Sequence, residues 1–246
     1  MDPDQPVSVT EAAARGSPIG RRVVLAMLGL GGAGVVFGSG VQNWLERTVA
    51  PLLSRDGTGL SSLFPVGRFR IYTVTGDLPV RSEADYRLTV DGFVDRPLQL
   101  TAPDLRAMPP TRLNKAFQCV TGWRVDDVSW VGVRLGDLLD KAGAKEGAQG
   151  VRFHSFDGKY TETLTMAQAR RPDVIVAYSL EGKNVSSAHG GPVRLYVAPM
   201  YGYKSCKWLE RIEVTQGPPT KGYWEVRGYD TDAWIGKSNG RGDRPA

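Results

Sequence analysis

Tyr86, Leu88 and Val90 alternate with Arg87 and Thr89, the two-residue period of a half-buried strand, and Asp91-Gly92 turns it. Leu113 to Val120 reads as a strand ending at Cys119. Val151 to Ser155 and Tyr160 to Leu164 flank Asp157-Gly158, a hairpin signal. Val174 to Tyr178, Val193 to Val197 and Trp208 to Thr215 supply further strands. Helical signals are shorter. Thr101-Ala102-Pro103-Asp104 places a cap, an early proline and an acid at a helix start, and Pro109-Pro110 stops that helix. Leu135, Leu138, Leu139 and Ala142 form a helical stripe closed by Gly143, and Thr165-Met166-Ala167-Gln168 is a capping-box pattern ending before Pro172. No strand–helix repeat emerges. The pattern predicts one mixed α+β domain over residues 60–215, strand-rich with short helices. An aromatic and glycine-rich tail, 216–246, with Tyr223, Trp224, Tyr229 and Trp234, is expected to wrap its surface.

The N-terminal pattern differs. Val23 to Leu45 is a run of 23 residues without a formal charge, set between Arg21-Arg22 and Glu46-Arg47. Paired arginines before a weakly apolar, glycine-rich stretch resemble a twin-arginine export signal, which implies passage across the membrane in the folded state. Residues 1–45 are therefore expected to be an export signal or a membrane anchor, and 46–59 a linker. Export places the domain on the outer face of the cytoplasmic membrane or in a periplasm-like space. Gly29, Gly31 and Gly34 spell a dinucleotide fingerprint, yet no strand precedes them and no amphipathic helix follows.

Composition narrows the chemistry. At roughly 150 residues per domain, 246 residues hold one full domain and a remainder. Two cysteines, Cys119 and Cys206, exclude a disulfide-rich scaffold and a four-thiolate metal site, and two histidines leave little for a zinc hydrolase. The net charge of +5 lies wholly after Arg22, where acids and bases intermingle, so no nucleic-acid footprint forms.

Two constellations remain. Cys119 sits in Phe117-Gln118-Cys119-Val120-Thr121-Gly122-Trp123-Arg124, where a thiolate beside backbone amides and Arg124 can bind a soft metal, although a lone cysteine in such a place is more often a small buried hydrophobe. The second is His189-Gly190-Gly191-Pro192-Val193-Arg194, a strand, and then Tyr201-Gly202-Tyr203-Lys204-Ser205-Cys206-Lys207-Trp208. Its glycines let backbone approach a bulky ligand, and Arg194, Lys204 and Lys207 offer cations to an anion such as a phosphate. Arg194 alternates with Val193 and Leu195, so a plain surface position fits it as well, and both lysines fit a solvated turn.

In this order, QCVTGW, HGGPVRL and YGYKSCKWLERI resemble the molybdopterin-binding domain of the sulfite oxidase family, and most nearly its bacterial exported members of the periplasmic methionine sulfoxide reductase type. The resemblance spans about residues 65–215. It implies a molybdenum–molybdopterin cofactor in its mononucleotide-free form, with Cys119 as the molybdenum ligand. It places His189 and Arg194 on the pterin, Ser205, Cys206 and Lys207 on its phosphate, and Ser155, Arg70 and Tyr72 near the cofactor. It implies two-electron oxygen-atom transfer on an S- or N-oxide, such as a small-molecule or protein-borne methionine sulfoxide, or on an oxyanion. Arg124 stands where an oxyanion-binding arginine is expected and is assigned a catalytic role. Thr75-Gly76-Asp77 occupies the place of another such arginine, which disfavours sulfite. No haem-attachment motif is present, so the resemblance implies a separate electron-transfer partner, in the membrane or soluble. Two rival readings of the residues stand beside it: a non-catalytic module with a Cys119–Cys206 disulfide, and a thiol hydrolase pairing Cys119 with His189.

Overall fold

The computed structural model describes residues 69–237. The expected export or anchor segment, the linker and the last nine residues lie outside the described residues.

Among the described residues, two large sheets and three short α-helices pack around one main hydrophobic cluster, with a smaller aromatic-rich cluster beside the second sheet, the strand-rich α+β arrangement that the pattern predicts. In the first sheet, β1 (Leu88–Gly92) pairs antiparallel with β2 (Leu98–Leu100) and parallel with β12 (Leu209–Thr215). Beyond β12 follow β7 (Gly150–Ser155) and β8 (Thr161–Thr165), both antiparallel. In the second sheet, β9 (Val174–Leu180) is central. It pairs with β6 (Ser129–Arg134) on one side and with β10 (Lys183–Asn184) and β11 (Arg194–Val197) on the other. The edge strand β3 (Thr111–Asn114) pairs with β6.

The helices sit where their caps foretell. The first, α1 (Ala102–Ala107), starts at Thr101, whose side chain accepts from the Asp104 backbone while Asp104 returns the bond. The second, α2 (Leu135–Ala142), buries Leu135, Leu138, Leu139 and Ala142 and ends at Gly143, at φ +68°. The third, α3 (Met166–Ala169), carries the Thr165–Gln168 capping box.

Three expectations change. The long strand predicted from Leu113 to Val120 is broken at Lys115-Ala116. Its second part, β4 (Phe117–Gln118), leaves the sheet and forms a small hairpin with β5 (Arg124–Val125). Cys119 stands just past β4, at the tip of that hairpin. Arg194, which alternation would allow to face solvent, is buried together with every other residue of β11, because that strand is covered on both faces. The tail does more than wrap the surface: Glu225 and Ala233 are buried, and Trp224, Tyr229 and Trp234 pack against the core.

Candidate functional site

A cavity of about 400 Å³ opens between the Cys119 hairpin, the segment 69–74, the turn after β7, the loops flanking β11, and the tail. That volume suits a fused-ring cofactor.

The β4–β5 hairpin presents the thiol. The Cys119 N–H donates to the Trp123 carbonyl at 2.9 Å, and Gly122, at φ +96°, donates to the Cys119 carbonyl at 3.1 Å. The Cys119 side chain is half-buried at the cavity wall, and the Thr121 hydroxyl donates to Sγ at 3.2 Å. A thiolate accepts such a bond more strongly than a neutral thiol does. Both cysteines are free, so no disulfide ties Cys119 to Cys206.

Across the cavity, a 3-10 turn, Ser187–His189, ends at Gly190 with φ +95°. A Cβ there would come within 2.5 Å of the Lys207 side chain, so only glycine lets the Lys207 segment lie against the turn. The His189 ring meets Phe69 edge-on at 5.0 Å. Partial burial, with Arg194 and Lys207 nearby, lowers its pKa below the usual imidazole value, so it is neutral near pH 7. Burial also lowers the Lys207 ammonium to about 7. Its Nζ donates to the Tyr72 carbonyl and lies 4.2 Å from the Trp208 ring centre.

Arg194 is a brace. Its guanidinium donates to the carbonyls of His189 (2.7 Å) and Ser205 (2.9 Å), tying together the two loops that frame β11. It lies 5.5 Å from the ring centres of both Phe117 and Trp130. Burial lowers its pKa to about 10, which still leaves it charged at neutral pH. The Ser205 hydroxyl accepts from the Val197 N–H at 3.0 Å.

Seven of the ten residues that the resemblance assigns to the site thus share one cavity: Arg70, Tyr72, Cys119, His189, Arg194, Ser205 and Lys207. Three do not line it. Cys206 has no exposed surface and its thiol is pushed up by burial, so the core takes it. Ser155 is buried, and its hydroxyl accepts from the Asp157 N–H at 3.2 Å. The side chain it supports, Asp157, is the one at the wall. Arg124 is tied to Asp126 at 2.6 Å and sits on the exposed side of the hairpin.

Two wall residues escaped sequence reasoning. Asp157 anchors its own turn, its Oδ1 accepting from the N–H groups of Lys159 and Tyr160 at 2.8 Å each. Its Oδ2 is buried with no hydrogen-bond partner among the described residues, and so is Nε1 of Trp123. An unmatched acceptor on the turn after β7 and an unmatched donor on the β4–β5 hairpin, both lining the cavity, fit a heterocycle carrying both ring N–H and carbonyl groups. The Asp-Gly pair signalled a turn, and the turn signal masked the carboxylate. Lys204, offered above as an anion binder, is instead sealed in the core between Glu162 and Glu225 at 2.6 Å from each.

The sequence profile described as the oxidoreductase molybdopterin binding domain matches residues 75–224, more than half of the chain. The uncharacterized oxidoreductase YuiH of Bacillus subtilis is 37% identical over 164 residues, covering 65% of this chain and 81% of that protein. The protein-methionine-sulfoxide reductase catalytic subunit MsrP of Campylobacter jejuni is 29% identical over 157 residues, covering 57% of this chain and about half, 52%, of that protein. In fold, the chain is similar to the sulfane dehydrogenase SoxCD of Paracoccus pantotrophus, with a TM-score of 0.52 and 24% identity over 60% of this chain and 41% of that one. The chain belongs to the oxidoreductase molybdopterin-binding domain family, the sulfite oxidase type, and is a molybdopterin-dependent oxidoreductase of that family.

Proposed function

We propose that the cavity holds molybdenum–molybdopterin in its mononucleotide-free form, and that the chain transfers an oxygen atom to or from an S- or N-oxide of the methionine sulfoxide type. The observation that carries this reading is the half-buried Cys119 sulfur at the wall of a cavity whose opposite side carries Lys207, Ser205 and the neutral His189. When bound, the cofactor supplies a two-electron redox centre, and the protein supplies one thiolate to it.

The remaining roles belong to the chain. Lys207 and the Ser205 hydroxyl offer donors to a terminal phosphate, and the hydrogen bond from Lys207 to the Tyr72 carbonyl couples that anchor to the segment 69–74. Asp157 Oδ2 and Trp123 Nε1 would offer an acceptor and a donor to the cofactor's heterocycle. The aromatic walls, Phe69, Phe117, Trp123 and Trp208 among them, exclude water and raise the weight of each polar contact. Reduction of an S-oxide consumes two electrons and two protons and releases water, so a separate electron donor is part of the reading. The neutral Val23–Leu45 run supports export or membrane attachment beside such a donor.

Elemental analysis of the purified protein, with Cys119→Ser in parallel, tests the assignment. Wild type is expected to carry near-stoichiometric molybdenum, and the variant to fold yet lose most of it. A metal-free wild type, or a variant with full molybdenum, overturns the reading. A reductant-linked screen of sulfoxides, N-oxides and sulfite then separates the substrate classes.

A further inference from the structure

Thr121 lines the cavity beside Cys119 and takes no part in the roles above. Its place follows from the hairpin that carries the cysteine. The chain reverses between β4 and β5 through a short loop. The Cys119 carbonyl accepts from the Gly122 N–H at 3.1 Å, and Gly122, at φ +96°, takes the left-handed conformation that lets the second strand resume. Thr121 is therefore the third residue of a tight turn whose first residue is Cys119. Val120, between them, packs against the main hydrophobic cluster, and Trp123 stacks on Phe117 at 5.7 Å, so the turn is held from both sides.

A hydroxyl in a turn ordinarily bonds a neighbouring backbone group. This one donates to Cys119 Sγ at 3.2 Å instead. A thiolate has three lone pairs, so a bond to a metal uses one and leaves room for such a donor. The hydrogen bond draws electron density from the sulfur, and the sulfur then gives less of it to the metal it holds. A metal with a weaker thiolate donor is easier to reduce, and hydrogen bonds to ligand sulfurs are among the levers by which a protein sets such potentials. The charge on the hairpin does not compete with this bond. Within residues 117–125 the one charged side chain is Arg124, and Asp126 neutralises it at 2.6 Å.

We infer that Thr121 is a positioning residue acting through Cys119: its hydroxyl bond to the sulfur raises the reduction potential of the bound molybdenum and so favours electron uptake from the redox partner. The inference rests on the cofactor reading above, because without a metal on Cys119 there is no potential to set. The hydroxyl is the part that matters. Serine at this position keeps it, whereas valine keeps the branched shape of threonine and loses it.

Mediated redox titration of the purified holoprotein, with Thr121→Val and Thr121→Ser in parallel, tests the role independently of turnover. Elemental analysis first establishes the molybdenum content of each protein. Thr121 is exposed, so valine there leaves the core as it is, and both variants are expected to load as wild type does. Loss of the hydroxyl is expected to make reduction about tenfold less favourable per electron, a midpoint potential lower by about 59 mV. Serine is expected to keep the wild-type value. A fully loaded valine variant with an unchanged or higher potential, or a serine variant that behaves as valine does, overturns the role. A valine variant that has lost its molybdenum makes Thr121 a support for metal binding and overturns it too. Should the valine variant not fold, Thr121→Ala carries the same expectation. If wild type itself carries no molybdenum, the cofactor reading falls and the role of Thr121 with it. If wild type is loaded and the potentials coincide, Thr121 alone is wrong.

Discussion

Two cations at the cavity, the half-buried Lys207 and the buried Arg194, answer different needs. Arg194 spends its donors on the carbonyls of His189 and Ser205, so it shapes the site. Lys207 is the cation that an incoming anion can recharge, because burial sets its pKa near 7 in the empty protein, against 10.5 for an ordinary lysine. Anion binding favours the ammonium, so affinity is full below pH 7 and falls as pH rises through and above it. Sulfate, whose charge is constant over this range, is the suitable probe. Its affinity for the apoprotein is expected to drop by up to about tenfold per pH unit above 7, and Lys207→Met is expected to flatten the profile. His189 does not blur this window, since its pKa lies below the usual value and its charge is already lost. Calorimetric titration at pH 6 and pH 9 checks it; equal affinities in wild type would remove Lys207 from the anion site. The cluster of Lys207, Ser205, His189 and Cys119 was legible in sequence because short motifs with glycines carry it. Lys204 was not, because its partners Glu162 and Glu225 lie 42 and 21 positions away and each looks unremarkable in its own segment.

At the level of elements, capping and turn chemistry decided what could be read. The helix at Thr101, the Gly143 stop and the Thr165 box are local, and the structure keeps all three. Thr101→Ala removes a reciprocal cap and is expected to lower stability by about 1 kcal/mol without touching molybdenum content. Denaturant midpoints and elemental analysis, compared side by side, measure that separation. Gly190→Ala is expected to do the reverse. It forces Lys207 away from the 3-10 turn, so loss of cofactor on dilution should quicken more than the melting temperature falls. A variant that holds its cofactor as wild type does would remove that close approach from the site's design. The break at Lys115-Ala116 was illegible because nothing local stops the strand there. The hairpin forms because Phe117 and Trp123 find a separate aromatic cluster with Phe69, Trp130 and Tyr196. Arg194 was ambiguous for the same reason: alternation marks a face only where one side of a strand meets water.

Over the whole molecule, the parallel pairing of β1 with β12 joins Thr89 to Arg211 and Val90 to Ile212, across more than a hundred residues. The helix α2 packs against both sheets, and a single cluster draws buried residues from each. Unfolding should therefore be one cooperative event, with far-ultraviolet dichroism and tryptophan fluorescence changing at the same denaturant concentration. Separated transitions would show that the sheets melt independently. The cavity repeats this long reach, taking walls from Phe69 through Tyr229. On the growing chain, Cys119 therefore emerges long before the groups that face it, and the tail residues Trp224 and Tyr229 complete the wall last. A product stalled before β11 presents the thiol without His189, Arg194, Ser205 or Lys207, so the two sides of the site meet only in a chain made nearly to its end.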